Sequence, residues 1–167
     1  MKTFYLLDGH AQIFRAYYVP FREITTPDGR NVKAAYVFTQ LLLNLLARAP
    51  DYLAVAFDVS DATTFRKDAY AEYKENRDAT PEDLGEQIGL VRTILDDLRV
   101  PILEREGFEA DDVIATIAAQ LPDDVEVRIV SKDKDLHQIL TDHVGLYDPK
   151  DDTVLYGPDL LEAKGYT

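Results

Sequence analysis

A chain of 167 residues that is 46% hydrophobic has the length of one domain and enough apolar content to bury a sizeable core. It contains no cysteine, which excludes a disulfide framework, a thiolate metal site and a thiol nucleophile. Its 31 acids outweigh 18 bases to leave a net charge of −13, which at face value argues against a phosphate-rich partner.

The first apolar segment, Phe4 to Leu7, is too short for a signal peptide, and no run of about 18 apolar residues follows it. Neither membrane insertion nor secretion is expected, and the cytoplasm is the default compartment. In chain order, periodicity and breakers predict a strand over Thr3 to Leu7, a helix over Val32 to Ala47 and a strand over Tyr52 to Phe57. A second helix is expected over Glu82 to Leu98. Thr80 can cap it, Pro81 suits its first position, Asp83 lies three residues after the cap, and Leu84, Ile88, Val91, Ile94, Leu95 and Leu98 form its apolar stripe.

A strand near Val100 to Glu104, a helix over Asp111 to Leu121 and a strand over Val125 to Val130 come next. The C-terminal stretch reads as a strand from Val144 to Tyr147, a turn around Pro149 to Asp152, a strand from Thr153 to Tyr156 and the start of another helix. Strands alternating with helices predict an α/β fold with a mainly parallel sheet. The sequence stops two residues after Gly165, which reads as a piece of a longer chain.

The strand ends carry the chemistry. "FYLLD" ends in Asp8, "YLAVAFD" in Asp58, and "VRIVSKDKD" in Asp133 and Asp135, while "EADD" places Glu109, Asp111 and Asp112 at the start of the helix after the remaining strand. Ligands of open α/β sheets bind outside the carboxyl ends of the strands, so all seven acids are expected at one edge. Oxygen-only donors suit hard cations, Mg²⁺ or Mn²⁺, and two such ions can activate water and hold a phosphodiester. Each acid also has a purely structural reading: Asp at a helix start stabilises the N-terminal dipole, and Asp135 would cap "LHQIL". No EF-hand spacing is present.

"TFRKDAYAEYKENRD" is the second informative stretch. At about 100° per residue, Arg66, Tyr70, Tyr73, Lys74 and Arg77 share one helix face, with Asp68, Glu72 and Glu75 near the other side. Cations neutralise phosphates and tyrosine rings stack on unpaired bases; the alternative is that the rings pack on the domain beneath snorkelling Arg and Lys. Setting the seven strand-end acids aside leaves 24 acids against 18 bases, so any affinity for DNA should be modest and salt-sensitive.

The ordered segments "LLDGHAQIFRAYY", "VAFDVSDATTFRKDAYAEYKENR", "GFEADDVIATIA" and "VSKDKDLHQILTD" resemble the 5′-nuclease domain of bacterial DNA polymerase I and its flap-endonuclease relatives, over essentially the whole chain. The resemblance implies a PIN-like three-layer α/β fold with a helical arch, and a divalent-metal-dependent 5′ to 3′ exonuclease and flap endonuclease. Its substrates would be DNA with 5′ flaps, nicks or ends and RNA primers on DNA, in replication and repair.

By motif position Asp8, Asp58, Glu109, Asp111, Asp112, Asp133 and Asp135 match family metal carboxylates, with two ions in the complete domain. "FRKDAYAEYKENR" matches the arch: Lys74 a base approaching the scissile phosphate, Tyr73 a ring contacting the threaded strand, and Arg66 and Arg77 phosphate contacts. Lys74, Asp8 and Asp112 are the expected catalytic residues.

The domain is expected to span 1–167 and to lack the family's downstream helix-three-turn-helix and further metal aspartates. A polymerase domain in the parent chain is a partner that the resemblance implies, and the expected state is a monomer. Val37 stands where relatives commonly have Gly and would tighten packing near the site. Lys132 and Lys134 flank the metal aspartates and would pair with excess acids or meet phosphate.

The expected reaction is water attack on a phosphodiester, leaving 5′-phosphate and 3′-hydroxyl ends. The alternative is a non-catalytic metal- and nucleic-acid-binding fragment. A phosphatase of the haloacid dehalogenase type wants an acid where His10 stands, and a receiver domain wants paired acids after the first strand.

Overall fold

The structure, a computed structural model, describes residues 1–59 and 82–165. The predicted basic and aromatic face from Arg66 to Arg77, and the cap and first-turn residues Thr80 and Pro81, lie outside the described residues. Strands β1 (Lys2–Asp8), β2 (Tyr52–Ala56), β3 (Ile102–Leu103), β4 (Val125–Val130), β5 (Val144–Asp148) and β6 (Thr153–Leu155) form one sheet in the order β3-β2-β1-β4-β5-β6. All neighbours pair in parallel except the terminal β5–β6 hairpin.

The sheet is covered on both sides, so β1 and β2 are apolar at successive positions instead of alternating with polar ones. Tyr5 and Leu7 of β1 pack with α1 (Gly9–Tyr18), α2 (Lys33–Leu46) and α3 (Glu82–Asp97). Leu6 faces the other way, with Ala54, Ala56, Val127 and Ile129, against α4 (Ala110–Gln120) and Leu136 of the short 3₁₀ helix Lys134–Ile139. A last helix, α5 (Gly157–Ala163), follows β6. The result is helix, sheet, helix in three layers.

The central strands and α2, α3 and α4 fall within a residue or two of the sequence expectation. Three differences have physical causes. Helix α1 goes unpredicted because its apolar pattern is interrupted by Gln12, which is nonetheless buried and donates through Nε2 to the Val130 carbonyl at 3.3 Å. Strand β3 is only two residues long. Leu98 is 41% exposed, since α3 ends at Asp97 and the stripe is completed by buried Leu84, Val91 and Leu95.

The three helices of the first layer are tied by polar groups at their ends. Asp83 of α3 accepts from the Tyr17 hydroxyl and from Asn31 Nδ2, both at 2.9 Å. Gln87, buried within α3, accepts from the Ala35 N–H at 3.1 Å and so satisfies one of the amides that the first turn of α2 cannot pair internally. Among the described residues no helix is long and apolar enough to cross a membrane.

Gly9 is where α1 meets the end of β2. A Cβ there would lie 2.8 Å from Phe57 Cζ and 2.9 Å from the Ala56 carbonyl oxygen, a backbone atom that cannot swing aside. Gly85, in α3, faces open space. Gly9→Ala should therefore destabilise by about 1–3 kcal/mol through overpacking, while Gly85→Ala should stabilise by roughly 0.5–1 kcal/mol through helix propensity. Urea unfolding of the two variants beside the parent checks both signs.

Candidate metal centre

The sheet register sets the geometry of the carboxyl edge. Asp8 pairs in register with Ala56, and Leu7 with Val130, so β1, β2 and β4 end at one level. Asp58 then lies two residues past β2, and Asp133 and Asp135 follow β4 by three and five residues. Glu109, Asp111 and Asp112 arrive at the start of α4, whose Ala110 N–H donates to Asp58 Oδ1 at 2.6 Å. The loop before α4 and the end of β2 are thus locked together through a site carboxylate.

Oxygens of Glu109, Asp111 and Asp112 lie within 4.8 Å of one another, and oxygens of Asp111, Asp133 and Asp135 do the same. Asp111 belongs to both groups. Asp8 and Asp58 stand outside these two close sets but not outside their field: the Asp8 carboxyl is pushed up from an ordinary 3.8 to about 7, chiefly by burial, and the nearby charges of Asp58, Asp111 and Asp133 raise it further. The Asp111 carboxyl is likewise raised, by burial first and then by Asp112, Glu109 and Asp133.

Most of these acids also hold the backbone. Asp8 caps α1, accepting from the Ala11 N–H at 3.3 Å. Asp112 accepts from the Glu109 N–H at 3.1 Å in a capping box, and Asp111 accepts from the Asp112 N–H at 3.0 Å. Asp133, not Asp135, caps the 3₁₀ helix, accepting from the Asp135 N–H at 2.9 Å; the helix begins at Lys134, two residues earlier than the "LHQIL" pattern suggests.

Two supporting residues escaped sequence reasoning. His10 accepts through Nδ1 from the Asp58 N–H at 3.1 Å and sets its ring edge-on to Phe57. Buried Ser131 accepts through Oγ from the Asp133 N–H at 3.2 Å. Their position, two residues from a site aspartate in each case, is the one signal that could have marked them. Val37 packs on the core and lines a cleft with Gln12 and Arg15.

The donor set fits a hard divalent cation. It is all carboxylate oxygen, and the surrounding acids add to burial in raising the carboxyls of Asp8 and Asp111. Relief of that repulsion is what a cation would supply.

A pH dependence follows from Asp8. Its folded carboxyl titrates above the unfolded one, so it contributes stability below about pH 3.8 that is lost as pH rises to about 7. A shift of that size corresponds to on the order of 4 kcal/mol. Asp8→Asn retains a cap acceptor, so in EDTA it should raise the melting temperature at pH 8, with the gain shrinking toward pH 4. Differential scanning calorimetry across that range would show the crossover.

Comparison with known proteins adds family to geometry. A family model described as "5'-3' exonuclease, N-terminal resolvase-like domain" matches residues 3–165. DNA polymerase I of Rhizobium leguminosarum is 42% identical over 170 residues, covering 96% of this chain and 17% of that protein. The thermostable DNA polymerase I of Thermus thermophilus is 39% identical over 146 residues, covering 87% and 17%. The chain therefore spans about a sixth of the length of these curated relatives.

Among solved structures, a bacteriophage T5 protein co-crystallized with metal ions superposes with a TM-score of 0.66 at 21% identity, covering 98% of this chain and 61% of that one. The T5 flap endonuclease in a pseudo-enzyme-product complex with DNA and metal ions gives 0.65 at 18%, with 98% and 61% covered. These likenesses show a PIN-like flap-endonuclease fold. By the family match across nearly its whole length, this chain belongs to the 5′-3′ exonuclease family, matching its N-terminal resolvase-like domain.

Proposed function

We propose that the chain, as one catalytic unit over 1–167, is a structure-specific 5′ to 3′ exonuclease and flap endonuclease that hydrolyses phosphodiesters of DNA, and of RNA primers on DNA, in replication and repair. The observation that carries this reading is the sharing of Asp111 between two carboxylate triads at the ends of parallel strands. Glu109, Asp111 and Asp112 would hold one divalent cation and Asp111, Asp133 and Asp135 a second, with Asp8 and Asp58 adding charge from β1 and β2. Mg²⁺ or Mn²⁺ bound there supplies a lowered water pKa and stabilises charge that develops on the phosphate.

The protein's own groups do the positioning. Asp8, held by the α1 amide, and Asp112, held in its capping box, keep fixed directions and cost little reorganisation. His10 and the Ala110 amide orient Asp58. Lys74 would bring positive charge to the scissile phosphate, Tyr70 and Tyr73 would stack on an unpaired strand, and Arg66 and Arg77 would contact its phosphates; support for these roles is the facing of the residues in the sequence and the family resemblance. The unit would act in the cytoplasm as a monomer, with a polymerase domain in the parent chain as in its relatives.

Cleavage of a 5′-labelled flap oligonucleotide at low salt in Mg²⁺ or Mn²⁺ tests the reading. Asp111→Asn should lower the rate by at least about a hundredfold, because it removes a ligand from both triads at once. Its melting temperature in EDTA should not fall, since the substitution removes a raised carboxylate. Cation binding by calorimetry without any cutting by the parent chain would instead leave a metal- and nucleic-acid-binding unit that is not itself catalytic.

A further inference from the structure

The chain's cations are unevenly spent. Arg30 pairs with Asp28, Arg48 with Asp152, Arg92 with Glu104 and Arg128 with Glu126. Among the described residues, Arg15, Arg22, Arg99, Arg105, Lys132, Lys134, Lys150 and Lys164 have neither an ion pair nor a side-chain hydrogen bond. In a protein with 31 acids, that many unneutralised cations call for an explanation.

Five of these eight, Arg15, Lys132, Lys134, Lys150 and Lys164, line one set of adjoining clefts. The first, about 280 Å³, lies between α1, α2 and the β5–β6 turn and includes Arg15 and Lys150. It shares Gln12, Arg15 and Pro149 with a second cleft of about 340 Å³, which adds Lys132, Lys134 and His137. That cleft shares Lys134 and His137 with a third, of about 420 Å³, closed by Lys164 of the residue after α5. The clefts form a continuous trough from Lys150 to Lys164. Its acids are Asp148, which accepts from the Lys150 N–H at 2.9 Å, and Asp135, so the lining is net positive on a strongly negative chain.

The middle of the trough lies at the loop after β4, where Lys132 and Lys134 flank Asp133 in the chain, and residues of β5 and β6 line it. Exposed cations without carboxylate partners neutralise phosphates with little competing interaction to give up, and each contact releases a counterion. Apolar side chains on the trough, among them Leu146 and Leu155, offer contact to sugars between phosphates.

We propose that this trough binds the phosphodiester backbone of the nucleic acid on the β5–β6 side of the carboxylate cluster. The proposal rests on the nuclease reading above and adds a second phosphate track to it. Its occupant is a DNA strand, recognised through backbone charge and not through base sequence.

The test is binding of a fluorescein-labelled 5′-flap DNA by anisotropy in EDTA across a KCl series, so that no metal chemistry contributes. The triple variant Arg15→Gln, Lys134→Gln, Lys164→Gln should bind at least about tenfold more weakly at low salt, with the slope of log affinity against log salt reduced by about two to three. A reference triple with the same charge change, Lys2→Gln, Arg30→Gln, Arg99→Gln, should move affinity less than about threefold. In the unaltered protein, DNA should protect Lys132, Lys134, Lys150 and Lys164 from acetylation but not Lys2, a readout that holds even if the trough triple folds poorly.

Equal losses in both triples, no loss in the trough triple, or acetylation that DNA leaves unchanged would overturn the trough. Flap cutting by the unaltered protein in Mg²⁺ would keep the nuclease reading standing through any of those results. A protein that neither binds DNA in EDTA nor cuts it in Mg²⁺ would overturn both.

Discussion

Mutual repulsion among carboxylates is the constraint around which the carboxyl edge is built. Two unit charges about 5 Å apart repel by roughly 3 kcal/mol at an effective dielectric of 20, whereas one helix cap contributes about 1 kcal/mol. The chain sets amides against its acids wherever it can: at the start of α1 for Asp8, at the start of α4 for Asp58, Asp111 and Asp112, and at the 3₁₀ helix for Asp133. The comparison of magnitudes says these amides do not close the gap. Burial and the remaining repulsion surface as the raised carboxyls of Asp8 and Asp111.

Capping and ligation, which sequence reasoning sets against each other as rival explanations for an aspartate, are therefore compatible at this edge. A carboxylate has two oxygens and several lone pairs, so one oxygen can accept from an N–H while another remains available. Asp112 and Asp133 show the arrangement: each holds a backbone amide and each belongs to a triad. The helices aim the acids, and the acids start the helices.

The parallel sheet was legible because its strands are buried on both faces and separated by long amphipathic helices, and the convergence of the acids followed from where those strands end. What stayed hidden depended on tertiary partners. Gln12 reads as a polar interruption until Val130 is placed opposite it, and Gln87 as a solvent residue until the first turn of α2 needs an acceptor. His10 shows its role only when β2 brings Asp58 alongside. The grouping of five of the seven acids into two triads that share Asp111 is a matter of ångströms that strand order alone cannot supply. Lys132 and Lys134, for which pairing and phosphate contact were both open, make no ion pair among the described residues.

The sheet's outer strands have a consequence for the protein in concentrated solution. At one side lies β3, two residues long and preceded by Pro101, which has no N–H to offer; at the other lies β6, three residues long and antiparallel to its neighbour. Long unpaired edges act as templates on which another molecule can add a strand, and natural proteins blunt them by shortening them or by ending them with proline. Both edges here are too short to seed such growth, so the long, apolar central strands are screened from edge-to-edge aggregation by the two smallest strands in the sheet.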